Sequence, residues 1–282
     1  MGSCNRQDDT HLGDIEHYGF PMFNFLRRKP AADPLNHPLW PRLGRALPVL
    51  QGLAIDEWER LEERMRHFLR TKAIVGAHGL EVSDRDKLII AAQACLPIMN
   101  LDDTAYRDWN EVIVYPNAFV SRDPWRDDAG LIHEEGRAMI GMARSDGPLL
   151  LSLPDSIAAA RIDGWNVVIH ECAHKLDMLN GRANGSPPLH AGMNQKTWSD
   201  AFNRGYRNFC RRLGSPYPSP IDPYAAENPA EFFAVLSESF FELPHMLAEE
   251  YPAIYAQLRQ FYRQDPCERL PRPVPEYQHF GA

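Results

Sequence analysis

The chain has 282 residues, a formal net charge of −8 and 44% hydrophobic content. That is enough apolar material to bury a core, and the acidic balance gives no electrostatic footprint for a nucleic-acid partner. No apolar run approaches the roughly 18 residues of a membrane span, and no secretory signal core is read at the start, so neither a membrane nor secretion is expected.

Residues 1–20 are polar and read as a loose segment. No repeat or long linker divides the rest of the chain, so one domain is expected over 21–266, mostly helical over 21–109 and built from a sheet and further helices over 110–266. Helices are predicted from Ile55 to Thr71 and from Asp86 to about Leu96, where Pro97 ends the second. Strands are expected at Glu111 to Tyr115, Arg137 to Ala143 and Leu149 to Leu153, the last after the turn signal Asp146-Gly147. A helix from Gly164 to Leu179 is capped by Asp163 and stopped by Asn180-Gly181. Beyond a Gly/Asn/Pro loop from Gly181 to Gly192, helices run from Lys196 to Leu213, from Pro229 to near Pro244, and from Ala253 to Arg263. Residues 267–282, with Pro271, Pro273 and Pro275 at alternate positions, read as a tail. This order predicts an α+β fold, mainly helical with a small mixed β-sheet.

The five cysteines, Cys4, Cys95, Cys172, Cys210 and Cys267, are odd in number and form no C-x-x-C pair. They read as reduced thiols of a cytoplasmic protein.

The helix predicted over 164–179 contains His170-Glu171-Cys172-Ala173-His174, the pattern H-E-x-x-H. Positions four apart share a helix face, so both imidazoles can reach one metal ion while Glu171 points at a water beside it. Cys172 falls on roughly the opposite side and reads as a small buried hydrophobe. A gluzincin-type site needs a third protein ligand. Glu231 is the candidate, in the first turn of the helix that Pro229 begins. Asn228 followed by Pro229 and Glu231 is equally the start of a helix with a capping box, and spacing alone leaves ligand and cap open.

His170 to Leu179, Gly185 to Leu189 and Asp222 to Val235 resemble the Mlc titration factor A family of bacterial zinc peptidases. Ile90 to Cys95, Val112 to Pro116 and Tyr262 to Pro266 extend the likeness from about Pro21 to Pro266. The family is similar to the catalytic domain of anthrax lethal factor. The resemblance implies a zincin-like core, one Zn2+ per chain and Glu231 as the third ligand. It also implies a catalytic role for Tyr224, seven residues before that glutamate, a position that could equally hold a packed tyrosine after a proline turn. Family members commonly have Phe where this chain has Cys172, a departure on the non-ligand face. Two functions are implied: an aminopeptidase acting on short peptides, and a regulatory protein that sequesters an Mlc-like transcriptional repressor.

These residues suit peptide hydrolysis. Zinc held by His170, His174 and Glu231 would activate water, Glu171 would take its proton, and Tyr224 could donate to the developing oxyanion. Asp177 and Glu238 are candidates to orient the imidazoles, or else solvated acids on exposed faces. An extended substrate would pair with a sheet edge, for which Leu149 to Leu153 is the candidate.

Overall fold

The computed structural model describes residues 13–14, 34–102, 104–121, 125–126, 132–133, 137–144, 147–158 and 161–272. The segment 1–20, apart from residues 13–14, and residues 273–282 of the expected tail lie outside the described residues, as does Cys4; the tail expectation is corrected at its start, where Pro266–Arg269 is a short helix, Arg269 donates to the carbonyls of Val49 and Gln51, and Leu270 is buried.

Helix α1, Ile55–Thr71, forms where expected because Leu61, Met65 and Phe68 recur on one face and are buried there. Its entry is fixed by Glu57, whose Oε2 accepts the backbone N–H of Ala54 at 2.8 Å. The chain then passes into strand β1, Ala73–Gly76, for which the sequence carries no expectation. Four residues of intermediate burial directly after a helix offer no alternation to read. Helix α2, Asp84–Cys95, is capped by Ser83, whose hydroxyl oxygen accepts from the N–H of Asp86 at 3.2 Å.

Strands β2, Glu111–Tyr115, β3, Gly141–Ala143, and β4, Leu149–Ser152, complete a four-stranded sheet in the order β1-β2-β4-β3. The first two pairings are parallel, with Val112 opposite Leu149 and Val114 opposite Leu151, and β3 is antiparallel on β4. Parallel pairing buries both faces, which is why β4 is apolar at consecutive positions. Leu149 and Leu151 face the main core, and Leu150 packs with Tyr115 and Phe119 on the other side.

Two strand expectations are corrected. Arg137 to Ala143 is not one strand: Arg137–Met139 pairs with Phe119–Ser121 in a separate sheet, and the chain passes through Ile140 before β3 joins β4. Nor is Leu149 to Leu153 an edge, since β4 lies between β2 and β3, and Leu153 already begins a short helix, α3, Leu153–Ala158. The edge strands of this sheet are β1 and β3.

The longer helices that follow are α4, Val167–Asp177, α5, Gln195–Arg212, α6, Pro229–Glu242, α7, Pro244–Glu250, and α8, Pro252–Tyr262. α6 is buried almost all round and supplies Phe232, Phe233, Phe240 and Phe241 to the core. Trp198 of α5 stacks on Phe202 at 4.3 Å between ring centroids and meets Phe233 and Phe261, so α5 and α8 close over α6. The result is an α+β molecule, mostly helical around a small sheet. Among the described residues no helix is long and apolar enough to cross a membrane.

Candidate metal centre

α4 starts later than the sequence implied. Its cap is Asn166, whose Oδ1 accepts from the N–H of Ile169 at 3.0 Å, whereas Asp163 accepts from the N–H of Trp165 at 3.1 Å and caps nothing. The α-helix ends at Asp177 and tightens into a 3-10 turn over Met178–Asn180. His170 and His174, one turn apart, bring their Nε2 atoms to 3.2 Å. Cys172 faces the core, fully buried, where burial pushes its thiol up to about 12 and it shares a hydrogen bond with Tyr106.

At the start of α6 the cap and the candidate ligand prove to be different residues. Asn228 Oδ1 accepts from the N–H groups of Ala230 at 2.9 Å and Glu231 at 3.0 Å. This leaves the Glu231 carboxylate free to turn toward α4, where its Oε2 lies 3.0 Å from His170 Nε2 and 3.2 Å from His174 Nε2. The three atoms therefore form a nearly equilateral triangle. A tetrahedral zinc ion with bonds of about 2.0 to 2.1 Å holds its ligands roughly 3.3 Å apart, so this triangle matches one face of such a shell. The donor set, two imidazoles and one carboxylate, is also one that zinc takes.

Glu238, two turns along α6, places Oε1 2.7 Å from His170 Nδ1 and also accepts the backbone N–H of Asn166. A proton on Nδ1 leaves the Nε2 lone pair facing the triangle. Asp177, the other candidate for this role, does something else. Its carboxylate accepts three loop N–H groups, those of Asn184 and Gly185 at 2.7 Å and of Ser186 at 2.9 Å. Among the described residues His174 Nδ1 is buried with no hydrogen-bond partner.

The electrostatics favour a cation. Burial opposes charging His170, but the charge of Glu238 and hydrogen bonds to Glu231 and Glu238 outweigh it and hold the imidazole well above its ordinary pKa. Burial likewise works to raise Glu231, yet its two histidine hydrogen bonds hold it far below the usual carboxylate range. A field that draws a proton so strongly onto His170 draws a divalent ion for the same reason.

Glu171 is buried, lines the same cleft and has its pKa raised, chiefly by that burial. Its position depends on Gly141 of β3. A Cβ there would stand 2.5 Å from Glu171 Oε1 and 2.7 Å from its Cγ, so the carboxylate rests against strand backbone that only glycine leaves open. Tyr224 lies in a 3-10 turn, Pro223–Ala226, where Asp222 Oδ1 accepts the N–H of Tyr224 at 2.8 Å, and its ring centroid is 6.0 Å from that of His170. These groups share a cleft of about 760 Å3 walled by β3, the loop 164–165, Ala183-Asn184 and the start of α6. Of its described lining, Glu171, Asp222, Glu231 and Glu238 are carboxylates and none is Lys or Arg.

Asn166, Gly141, Trp165 and Glu242 were not singled out in the sequence as parts of this site. Only Asn166 left a readable trace, as a capping residue ahead of the apolar run Val167 to Ile169.

Residues 23–263 match the family described as glucose-regulated metallo-peptidase M90. The Mlc titration factor A proteins of Salmonella agona and Salmonella typhi are each 39% identical over 232 residues, covering 80% of this chain and 86% of theirs. That of Salmonella arizonae is 39% identical over 80% of this chain and 90% of its own.

Proposed function

The chain belongs to the glucose-regulated metallo-peptidase M90 family, and from that premise we propose that it is a zinc-dependent peptidase with His170, His174 and Glu231 as ligands. The carrying observation is the triangle of two imidazole nitrogens and one carboxylate oxygen at the floor of the cleft, with Glu171 lining the same cleft. Bound zinc supplies Lewis acidity and makes water a nucleophile near neutral pH. Glu171 takes the proton of the attacking water and returns it to the leaving amine, a task that its raised pKa suits. Tyr224 donates its hydroxyl to the carbonyl oxygen as negative charge builds there. Substrate lies extended along β3, the edge strand that walls the cleft, pairing through main-chain hydrogen bonds.

The cleft's excess of carboxylates suits a substrate with a free, protonated amino end and supports aminopeptidase action on short peptides. The catalytic unit in this reading is 21–266, a zincin-like core of the gluzincin type acting in the cytoplasm. The name of the Salmonella relatives supports a second role, binding of an Mlc-like transcriptional repressor.

Metal analysis of the purified protein, with a panel of chromogenic amino-acid and peptide substrates, tests the first role. One zinc per chain and turnover lost on Glu231→Ala are expected. Absence of zinc, with activity indifferent to Glu231→Ala, overturns it. A pull-down of the host's Mlc-like repressor with wild type and Glu171→Gln tests the second, capture by both being expected.

A further inference from the structure

Trp165 is large, apolar and 57% exposed, yet it stands on a tightly anchored turn. Its N–H donates to Asp163 Oδ1 at 3.1 Å. The N–H of Gly164 donates to Glu242 Oε2 at 2.9 Å, and that of Asp163 reaches the same oxygen at 3.4 Å. Asn166 then donates its Nδ2 to Glu242 Oε1 at 2.9 Å and its backbone N–H to Glu238. Two buried carboxylates of α6 thus hold the turn on both sides of Trp165. Gly164 adopts φ 87°, a left-handed conformation in which any other side chain is strained, and a Cβ there would also press on Leu243 Cδ1 at 2.7 Å.

A single exposed apolar residue on a surface needs no explanation, but this one lines the cleft that holds the candidate metal centre. Met139, Met142, Met178 and Val235 line that cleft as well, an apolar and adaptable surface alongside the carboxylates. We infer that Trp165 is a specificity-determining wall of the cleft, positioned to take a large apolar side chain of a peptide beside the bond to be cut. The inference rests on the peptidase reading for its reaction, but not for its binding surface. Glu242 acts through the turn as a positioning residue.

The test uses the full zinc-loaded chain and quenched-fluorescent peptides identical except for Leu, Phe, Ala, Ser, Lys or Asp at the residues flanking the cleaved bond. Leu and Phe are expected to exceed Ala in kcat/KM by about tenfold, the discrimination that a few methylenes in an apolar pocket give. Trp165→Ala should collapse the Leu-to-Ala ratio about tenfold through KM, and Trp165→Phe should retain most of it. The melting temperatures of both variants serve as a folding control. Calorimetric binding of the same Leu and Ala peptides to Glu171→Gln, with and without Trp165→Ala, reads the surface without turnover. Cleavage with no apolar preference, with a preference for Lys, or with a ratio unmoved by Trp165→Ala overturns the inference and leaves the peptidase intact. Trp165-dependent binding of the Leu peptide with no cleavage by wild type supports the surface and overturns the peptidase. Neither cleavage nor binding overturns both.

Discussion

His170 Nδ1 and Glu238 Oε1 are 2.7 Å apart, in a contact that joins the helix of the two histidines to the helix of Glu231. With Nδ1 donating to that carboxylate, Nε2 is the nitrogen that faces Glu231 and His174 in the candidate metal centre. Glu238→Gln is expected to lower zinc affinity by about 10- to 100-fold, the usual cost of losing such a partner. Competition with a chromophoric chelator measures it, and unchanged affinity would show that the contact does not orient His170.

Glu171→Gln separates the base from the ligands. General-base assistance contributes typically about 10²- to 10⁴-fold, so kcat should fall by that order while zinc content stays at one per chain. Loss of zinc from this variant would mean that Glu171 belongs to the coordination shell instead.

Gly141→Ala tests the same carboxylate from the strand side. The added methyl would stand 2.5 Å from Glu171 Oε1, and 2.7 Å from a methyl carbon of Val167, so something must shift. Turnover is expected to fall by at least about tenfold with zinc retained, since a base displaced by a fraction of an ångström loses its geometry. Wild-type activity in Gly141→Ala would exclude the packing described for Glu171.

Stability should depend on pH through Glu242. Burial raises its carboxyl from the ordinary 4.5 to about 8, against hydrogen bonds from Asn166 and Gly164. Between those values the folded chain keeps a proton that the unfolded chain has released, so stability falls as pH rises through the window. Glu242→Gln removes this contribution, worth up to a few kcal/mol, and denaturant titrations at pH 5, 6.5 and 8 should show a shallower decline. Glu171 and Glu238, raised likewise by burial, keep part of the slope. Equal slopes in both proteins would exclude Glu242 as the source.

The histidine pair was legible because a four-residue spacing is set by the helix itself, whatever surrounds it. Glu231 was legible only as an alternative, since the same residues that cap α6 also place the carboxylate; the resemblance to a known family, not the spacing, favoured the ligand. Glu238 and Asp177 looked equivalent as acids near the site, and their separation into imidazole partner and loop anchor depends on packing between elements. Strands of three or four residues, such as β3, carry too few positions for a periodicity, so the apolar run of β4 stands out in the sequence as an edge that the fold places inside the sheet. The role of Gly141 is a contact between a strand and a helix about thirty residues apart, and no local pattern encodes it.

Asp177 lies on the same helix as both histidines and takes the N–H groups of residues 184 to 186. Ala183 and Asn184 are therefore bound to the element that supplies two of the three candidate ligand atoms, through a closed ring of fewer than a dozen residues. That wall is in effect one body with the helix of the two histidines. The opposing walls, β3 and the turn of Tyr224, come from distant stretches of chain. Their distance from the histidines is set by packing between elements, as where Gly141 meets Glu171, whereas that of Asn184 is set by a short hydrogen-bonded ring.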